Sequence, residues 1–354
     1  MRVIKPMRIW FDLANSAHVL LFRGIIKSLR SMGHTPFVTV RDYAQTKDLV
    51  EQSGIKHIVV GKHAGRSYYK KLLYLFWRSG KLLALVRGLD IDIAVSHNSA
   101  DQAIVSFLLR IPFLTIQDTE RQIANHLVFR LAAKVLVPES FPDEKLRQYG
   151  AHPKKVVKFG GIKEQIYIPD FEPIPGFLGK MNIPSDKVIC VLRPPDFLAL
   201  HDRIDNPLFY HLARYLLSQP NTFVIILPRT PQQRERLNQW QKHYSNLLIP
   251  TKAVDGLNLM YYSDIVITAG GTMAAEAAML GTPAYTLLKN LRAVDLYLAE
   301  KGLLTIISKP EDFAKIQLKK KTSTQWFSSP HIKETIIKEI LSLKNGLKGC
   351  YALG

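Results

Sequence analysis

From residue 8 to residue 288 the chain alternates short apolar runs with stretches whose apolar residues recur at helical spacing. The runs at 8–12, 35–40, 56–60, 91–96, 113–116, 134–137 and 155–158 read as strands of a first half. Between the first two, Leu20, Leu21, Ile25, Leu29 and Met32 mark one helical face, and Gly33 closes that helix. The scheme restarts in the second half, with strands at 187–192, 222–227, 264–268 and 284–288 and helices at 206–218, 232–243 and 272–280. Strands separated by helices cannot pair as hairpins, so the pattern predicts parallel sheets with helices on both faces. A chain of 354 residues is long enough for two such domains. The stretch 169–184 holds Pro169, Pro173, Pro175, Gly176, Gly179 and Pro184, a linker composition. The expected fold is α/β, with two Rossmann-like domains whose parallel sheets face a central cleft. Expected bounds are 1–168 for the first domain, 169–184 for the linker, 185–330 for the second domain, and 331–354 for a C-terminal helix and tail.

Several function classes lose support at once. No GxGxxG fingerprint and no Walker A loop follows any of these strands, which argues against dinucleotide and P-loop sites. Cys190 and Cys350 cannot build a disulfide framework, and no Cys/His spacing suits a metal, so a reducing, cytoplasmic setting is expected. The first residues lack the apolar run of a signal peptide. The most apolar long stretch, 72–89, contains Arg78, Lys81 and Arg87, so it is expected to lie on a membrane rather than cross it. The formal net charge is +19, which points to anionic partners: nucleic acid, an acidic membrane or phosphorylated substrates. No RNA- or DNA-binding signature accompanies the charge, so nucleic acid is the weakest of the three.

The chemistry concentrates at the ends of strands. Ala269-Gly270-Gly271 ends one, Thr272 is placed to cap the next helix, and Glu276 lies one turn further on the same side. Glycines let backbone approach a ligand closely, and the N–H groups at the helix start favour an anion. Two readings fit: a turn that holds a diphosphate with Glu276 on ribose hydroxyls, or a plain crossover in which Glu276 complements the helix dipole. Arg193 and Arg229 end adjacent strands, where two planar guanidinium groups suit a diphosphate; surface ion pairs are the other reading. Asp255-Gly256 is placed near the base of such a nucleotide. In the first half, His18 and Asp118 follow strand ends and are the candidate proton acceptors. Asn15, His97, Ser99 and Asn125 sit in strand-end loops and are expected to bind an acceptor; for His97 a loop-capping role is the other reading. On a helix through 66–89, Leu72, Phe76, Leu83 and Val86 share the face expected to pack on the sheet. Lys70, Lys71, Trp77, Arg78 and Lys81 fall on the face expected to meet anionic lipid.

The passage 259–283 resembles the donor site of GT-B glycosyltransferases, particularly the lipid-II-forming N-acetylglucosaminyltransferase, and that of the non-hydrolysing UDP-N-acetylglucosamine 2-epimerases. The stretch from Gln117 to Glu139 and Lys158-Phe-Gly-Gly161 resemble the first of these as well. A fuller resemblance is to the DUF354 family of predicted glycosyltransferases. It rests on Phe11-Asp12, Ala17-His18, Thr39-Val-Arg-Asp42, Val60-Gly-Lys-His63, Gly161-Ile-Lys-Glu164, and Gly270-Gly-Thr-Met273 with Glu276, and spans about 7–310. What the resemblance implies is a GT-B enzyme. It would move a sugar from a nucleotide donor, UDP-linked, to a lipid-linked or glycan acceptor of the cell envelope. Gly270, Gly271, Thr272 and Glu276 would hold the nucleotide. The donor is then a substrate, and no cofactor is expected. No paired-Asp metal motif stands out, so metal-independent transfer is expected. The alternative within the fold, a 2-epimerase, loses ground because Leu13-Ala-Asn-Ser16 stands where that family has Arg-Pro-Glu.

Overall fold

The computed structural model describes residues 5–43, 46–62, 68–195, 207–252, 254–269, 271–322, 325–327 and 329–350. The chain divides into two compact units, Met1–Pro169 with Ser329–Gly354, and Asp170–Ser328.

The first unit is built on β1 (Arg8–Leu13), β2 (Thr35–Asp42), β3 (Ile58–Lys62), β4 (Ile93–His97), β5 (Phe113–Ile116), β6 (Lys134–Pro138) and β7 (Val156–Phe159). They pair in parallel in the order β3-β2-β1-β4-β5-β6-β7. Its helices are α1 (Ser16–Ser31), α2 (Thr46–Gln52), α3 (Tyr68–Val86), α4 (Ala100–Leu108), α5 (Asn125–Leu131) and α6 (Asp143–Gln148). Helices cover both faces, so the central strands are apolar throughout rather than alternating: β4 and β5 are buried along their whole length. α1 begins where Asn15 Oδ1 accepts the His18 backbone N–H at 3.2 Å. It buries Val19, Phe22, Ile25 and Leu29, and ends at Gly33, whose φ of +85° suits glycine.

α3 is rotated from its expected setting. Leu72 and Phe76, expected against the sheet, are exposed, while Arg78, Ser79, Leu82 and Val86 are buried. Two carboxylates draw Arg78 inward. Its Nη2 donates to Asp12 Oδ1 at 2.7 Å, and its Nη1 to Asp12 Oδ2 at 2.9 Å and Asp101 Oδ2 at 3.0 Å. Nε donates to the Val60 carbonyl at 2.8 Å. Burial opposes ionisation of Asp12, but the Arg78 charge and its hydrogen bonds outweigh it and bring the carboxyl down to about 2. Arg78 therefore cannot meet a membrane, and that expectation is corrected: it is the fully buried cation of the first unit's core.

The second unit carries α7 (Phe177–Lys180), α8 (Pro207–Leu217), α9 (Pro231–Gln241), α10 (Gly256–Tyr262), α11 (Thr272–Met279) and α12 (Ala293–Glu300). Its strands are β8 (Val188–Arg193), β9 (Thr222–Ile226), β10 (Leu247–Leu248), β11 (Ile265–Thr268), β12 (Ala284–Thr286) and β13 (Thr305–Ile306), parallel in the order β10-β9-β8-β11-β12-β13. Leu192, Phe209, Leu216, Ile226 and Ile267 are among the side chains of its core. The basic run at 319–321 faces inward in part: Lys320 Nζ reaches Asp264 at 2.8 Å, and burial pushes the Lys321 ammonium down to about 8.

α13 (Pro330–Cys350) returns to the first unit. It buries Ile332, Ile336, Ile340 and Leu343, at spacings of three and four, and Lys344 pairs with Asp92 at 2.7 Å.

Candidate functional site

Both sheets reverse their order of winding, between β1 and β4 and between β8 and β11. In such sheets ligands gather beyond the carboxyl ends of the strands at the reversal. The chemistry-bearing residues of each unit lie there.

In the first unit four buried side chains meet: His18 from the start of α1, His97 at the end of β4, Asp118 beyond β5, and Lys163 beyond β7. The His18 and His97 ring centroids are 4.8 Å apart. His97 Nε2 lies 3.0 Å from Asp118 Oδ1, and Lys163 Nζ lies 2.7 Å from Asp118 Oδ2. Burial works against the Asp118 charge, yet Lys163 and His97 hold its carboxyl well below the usual carboxylate range. An ionised carboxylate only accepts, so the proton between them sits on His97 Nε2. His97 Nδ1 has no hydrogen-bond partner among the described residues and is not sealed from solvent. Asp118 thus fixes the ring orientation and leaves Nδ1 as the ring's open nitrogen.

His18 is arranged the other way. Its Nδ1 accepts the Ala14 backbone N–H at 3.1 Å. Burial, followed by His97 and Lys163, lowers its pKa well below the ordinary value. A neutral ring with Nδ1 committed carries its proton on Nε2, so it can donate but not accept there. This geometry sets His18 up as a hydrogen-bond donor at Nε2, beside the expectation that it takes a proton. Asp118, the other candidate base, has His97 on one oxygen and Lys163 on the other, and the same two groups hold its carboxyl well below the usual range.

The remaining first-unit residues mostly hold the loops. Asn15 caps α1. Ser99 caps α4 through the Gln102 N–H at 3.3 Å and donates to Asp12 Oδ2 at 2.6 Å. Asn125 donates to the Thr119 carbonyl at 3.1 Å and accepts from Gln117 Nε2 at 2.7 Å. Ser99 and Asn125 are buried and committed to these bonds, which corrects their expected contact with an acceptor. The anchoring part of Lys163 was not read from the sequence, and neither was Asn98. Asn98 takes the left-handed region, with φ +53°, and donates to Gln122 Oε1 at 2.7 Å. The available signal was a polar residue directly at each strand end and the Gly160-Gly161 pair ahead of Lys163.

In the second unit Arg193 ends β8 and Arg229 follows β9. Arg229 Nε donates to the Pro194 carbonyl at 2.9 Å, and Gln233 Nε2 to the Pro195 carbonyl at 2.8 Å, so the loops after β8 and β9 are tied together. α11 starts beyond β11 at Gly271, whose φ is +103°. Gly271 is the cap and, as a glycine, brings no side-chain cap bond. Thr272 is the first helical residue, which corrects its expected capping part. Glu276 is buried one turn in, among Ala274, Ala275, Ala277 and Ala278. Gly270 lies outside the described residues. Asp255 caps α10 through the Asn258 N–H at 3.1 Å. Among the described residues no group of three His, Cys, Asp or Glu side chains is placed to hold a metal ion.

Of the side chains expected on lipid, Lys70, Lys71, Trp77 and Lys81 are exposed on α3 and Arg78 is not. No helix among the described residues is long and apolar enough to cross a membrane.

Comparison with known proteins agrees with this architecture. An uncharacterized protein of Methanocaldococcus jannaschii is 29% identical over 301 residues, covering 83% of this chain and 85% of that one. The UDP-GlcNAc 2-epimerase of the same organism, solved with UDP-GlcNAc and UDP, has a TM-score of 0.73 at 15% identity, over 94% of this chain and 99% of its own. A glycotransferase of kitacinnamycin has a TM-score of 0.57 at 14% identity, over 98% and 94%. The fold of this chain is therefore of the GT-B class, shared by sugar epimerases and glycosyltransferases. Residues 7–323 match the family described as "Protein of unknown function (DUF354)", and the chain belongs to that family.

Proposed function

We propose that this protein is a glycosyltransferase that moves a sugar from a UDP-linked donor to a hydroxyl of a lipid-linked or glycan acceptor, without a metal ion. The observation that carries the reading is the Lys163–Asp118–His97 chain, which leaves one histidine nitrogen as a proton acceptor in a buried setting. His97 Nδ1 takes the proton of the acceptor hydroxyl as its oxygen attacks the anomeric carbon. The bond from that carbon to the diphosphate breaks, and the electron pair leaves with the nucleoside diphosphate. Within the second unit, the Arg193 and Arg229 guanidinium groups and the backbone N–H groups at the glycine-capped start of α11 are the features suited to a nucleoside diphosphate. Glu276, one turn in, takes the ribose hydroxyls. His18, a donor at Nε2, bonds an oxygen of the acceptor. Solved proteins of this fold bind UDP-GlcNAc and UDP, which supports the choice of donor.

Thermal unfolding with a panel of nucleotides and nucleotide sugars tests the donor half. A ligand at 100 times its Kd adds about 2.7 kcal/mol. UDP or a UDP-sugar should raise the Tm, and Glu276→Ala should abolish the rise. No shift with any nucleotide overturns the assignment. His97→Gln should keep the shift and lower turnover by about 10²–10⁴-fold, the usual worth of a positioned base.

A further inference from the structure

The outward face of α3 is more apolar than a solvated helix requires. Tyr69 is 80% exposed, Leu73 70%, Phe76 63% and Trp77 50%, and Leu72 joins them at 48%. Because Arg78 turns inward to Asp12 and Asp101, these side chains are turned out together. α3 packs beside the edge strand β3, where Ile58 and Val59 are also exposed, so the apolar surface continues onto the sheet edge. A recess of about 340 Å³, lined by Asp42, Val59, Gly61, Lys62, Tyr74 and Trp77, opens at this junction, with the Asp42 carboxylate at its β2 wall and Lys62 beside it. Apolar patches of this kind on a soluble domain mark a binding surface.

The charges around the patch say what it binds. Lys70, Lys71 and Lys81 are exposed on the same helix, with Lys81 Nζ 6.0 Å from the Trp77 ring. No Asp or Glu occurs anywhere from residue 52 to residue 89. A second copy docked face to face would set these lysines against one another. An anionic bilayer satisfies both features, taking the aromatic and aliphatic groups at the acyl boundary and the ammonium groups at the headgroups.

We infer that α3 and the β3 edge form a docking surface for an anionic membrane, on which the protein sits without spanning it. The inference stands apart from the sugar-transfer reading, since it uses no residue of either strand-end site.

The test is sedimentation of the full-length protein with phosphatidylcholine vesicles, with and without phosphatidylglycerol. Binding should require phosphatidylglycerol and weaken as salt is raised. Leu73→Glu with Phe76→Glu should abolish it. Lys71→Glu with Lys81→Glu should weaken it by roughly tenfold or more, from the loss of two surface attractions and their reversal. Circular dichroism and the Tm of each variant report that the fold is kept, because the altered side chains are solvent-facing. The inference is overturned if the wild-type protein ignores both vesicles, or if the Leu73/Phe76 variant binds as well as wild type. It is also overturned if the protein forms a dimer that this variant makes monomeric while vesicle binding stays absent, which would give the face to a second copy.

Discussion

Arg78 sits between Asp12 and Asp101 with no exposure, so its removal leaves Asp12 buried without a counter-charge, while Asp101 keeps its pair with Arg41. Arg78→Met should cost about 3–5 kcal/mol in chemical denaturation, the usual price of breaking a buried ion pair from one side. Acid titration reads the same core. His18 stays neutral in the fold well below its ordinary 6.5, whereas the unfolded chain takes up a proton near that value. The unfolded state then holds the extra proton, and stability falls as the pH drops below about 6.5, by up to about 1.4 kcal/mol per pH unit. His18→Gln should remove that part of the slope. Further down, Asp12 contributes stability that is fully present above 3.8 and is lost as the pH falls through about 2. At this scale the placement of these residues at strand ends was legible. Residues 18, 97 and 118 follow strands, and a doubly wound sheet brings such ends to one edge. The hydrogen-bond settings of the two histidines were not legible. They depend on the Ala14 backbone N–H beside His18 and on Lys163, which reaches Asp118 from 45 residues away.

Elements carry the proposed donor site and the proposed docking face. α11 begins at a backbone angle that an L side chain rarely adopts, with φ +103° at Gly271. Nothing lies within 4 Å of where a Cβ would stand, so the cost is conformational and not steric. Gly271→Ala should destabilise the second unit by about 1–2 kcal/mol and abolish the nucleotide-dependent rise in Tm. A variant that unfolds earlier yet keeps the rise would separate the turn from the ligand. Strand and helix positions were largely legible, because the central strands are buried on both faces and read as continuous apolar runs. The face of α3 was not. Its apolar residues surround much of the helix, and spacing cannot reveal that an arginine takes the inner stripe when its partners are Asp12 and Asp101.

At the scale of the whole molecule, the chain leaves the first unit at Pro169 and comes back to it at Ser329. α13 packs against the segment that carries Lys163, and a Cβ at Gly161 would stand 3.1 Å from Ile332 Cδ1. Ending the chain after residue 328 should therefore lower the first thermal transition and weaken turnover, while the second unit keeps its response to nucleotide. Calorimetry with and without UDP reads both. The helix itself was visible in its apolar spacing, but an apolar stripe does not name the surface that it covers. The most direct test of the account is nuclear magnetic resonance of UDP-GlcNAc incubated with the protein and an extract of lipid-linked and glycan acceptors. Transfer predicts acceptor-dependent release of UDP, lost in His97→Gln, with no sugar epimer formed. Appearance of the C2 epimer on UDP, without acceptor and without UDP release, would contradict it and make the protein an epimerase.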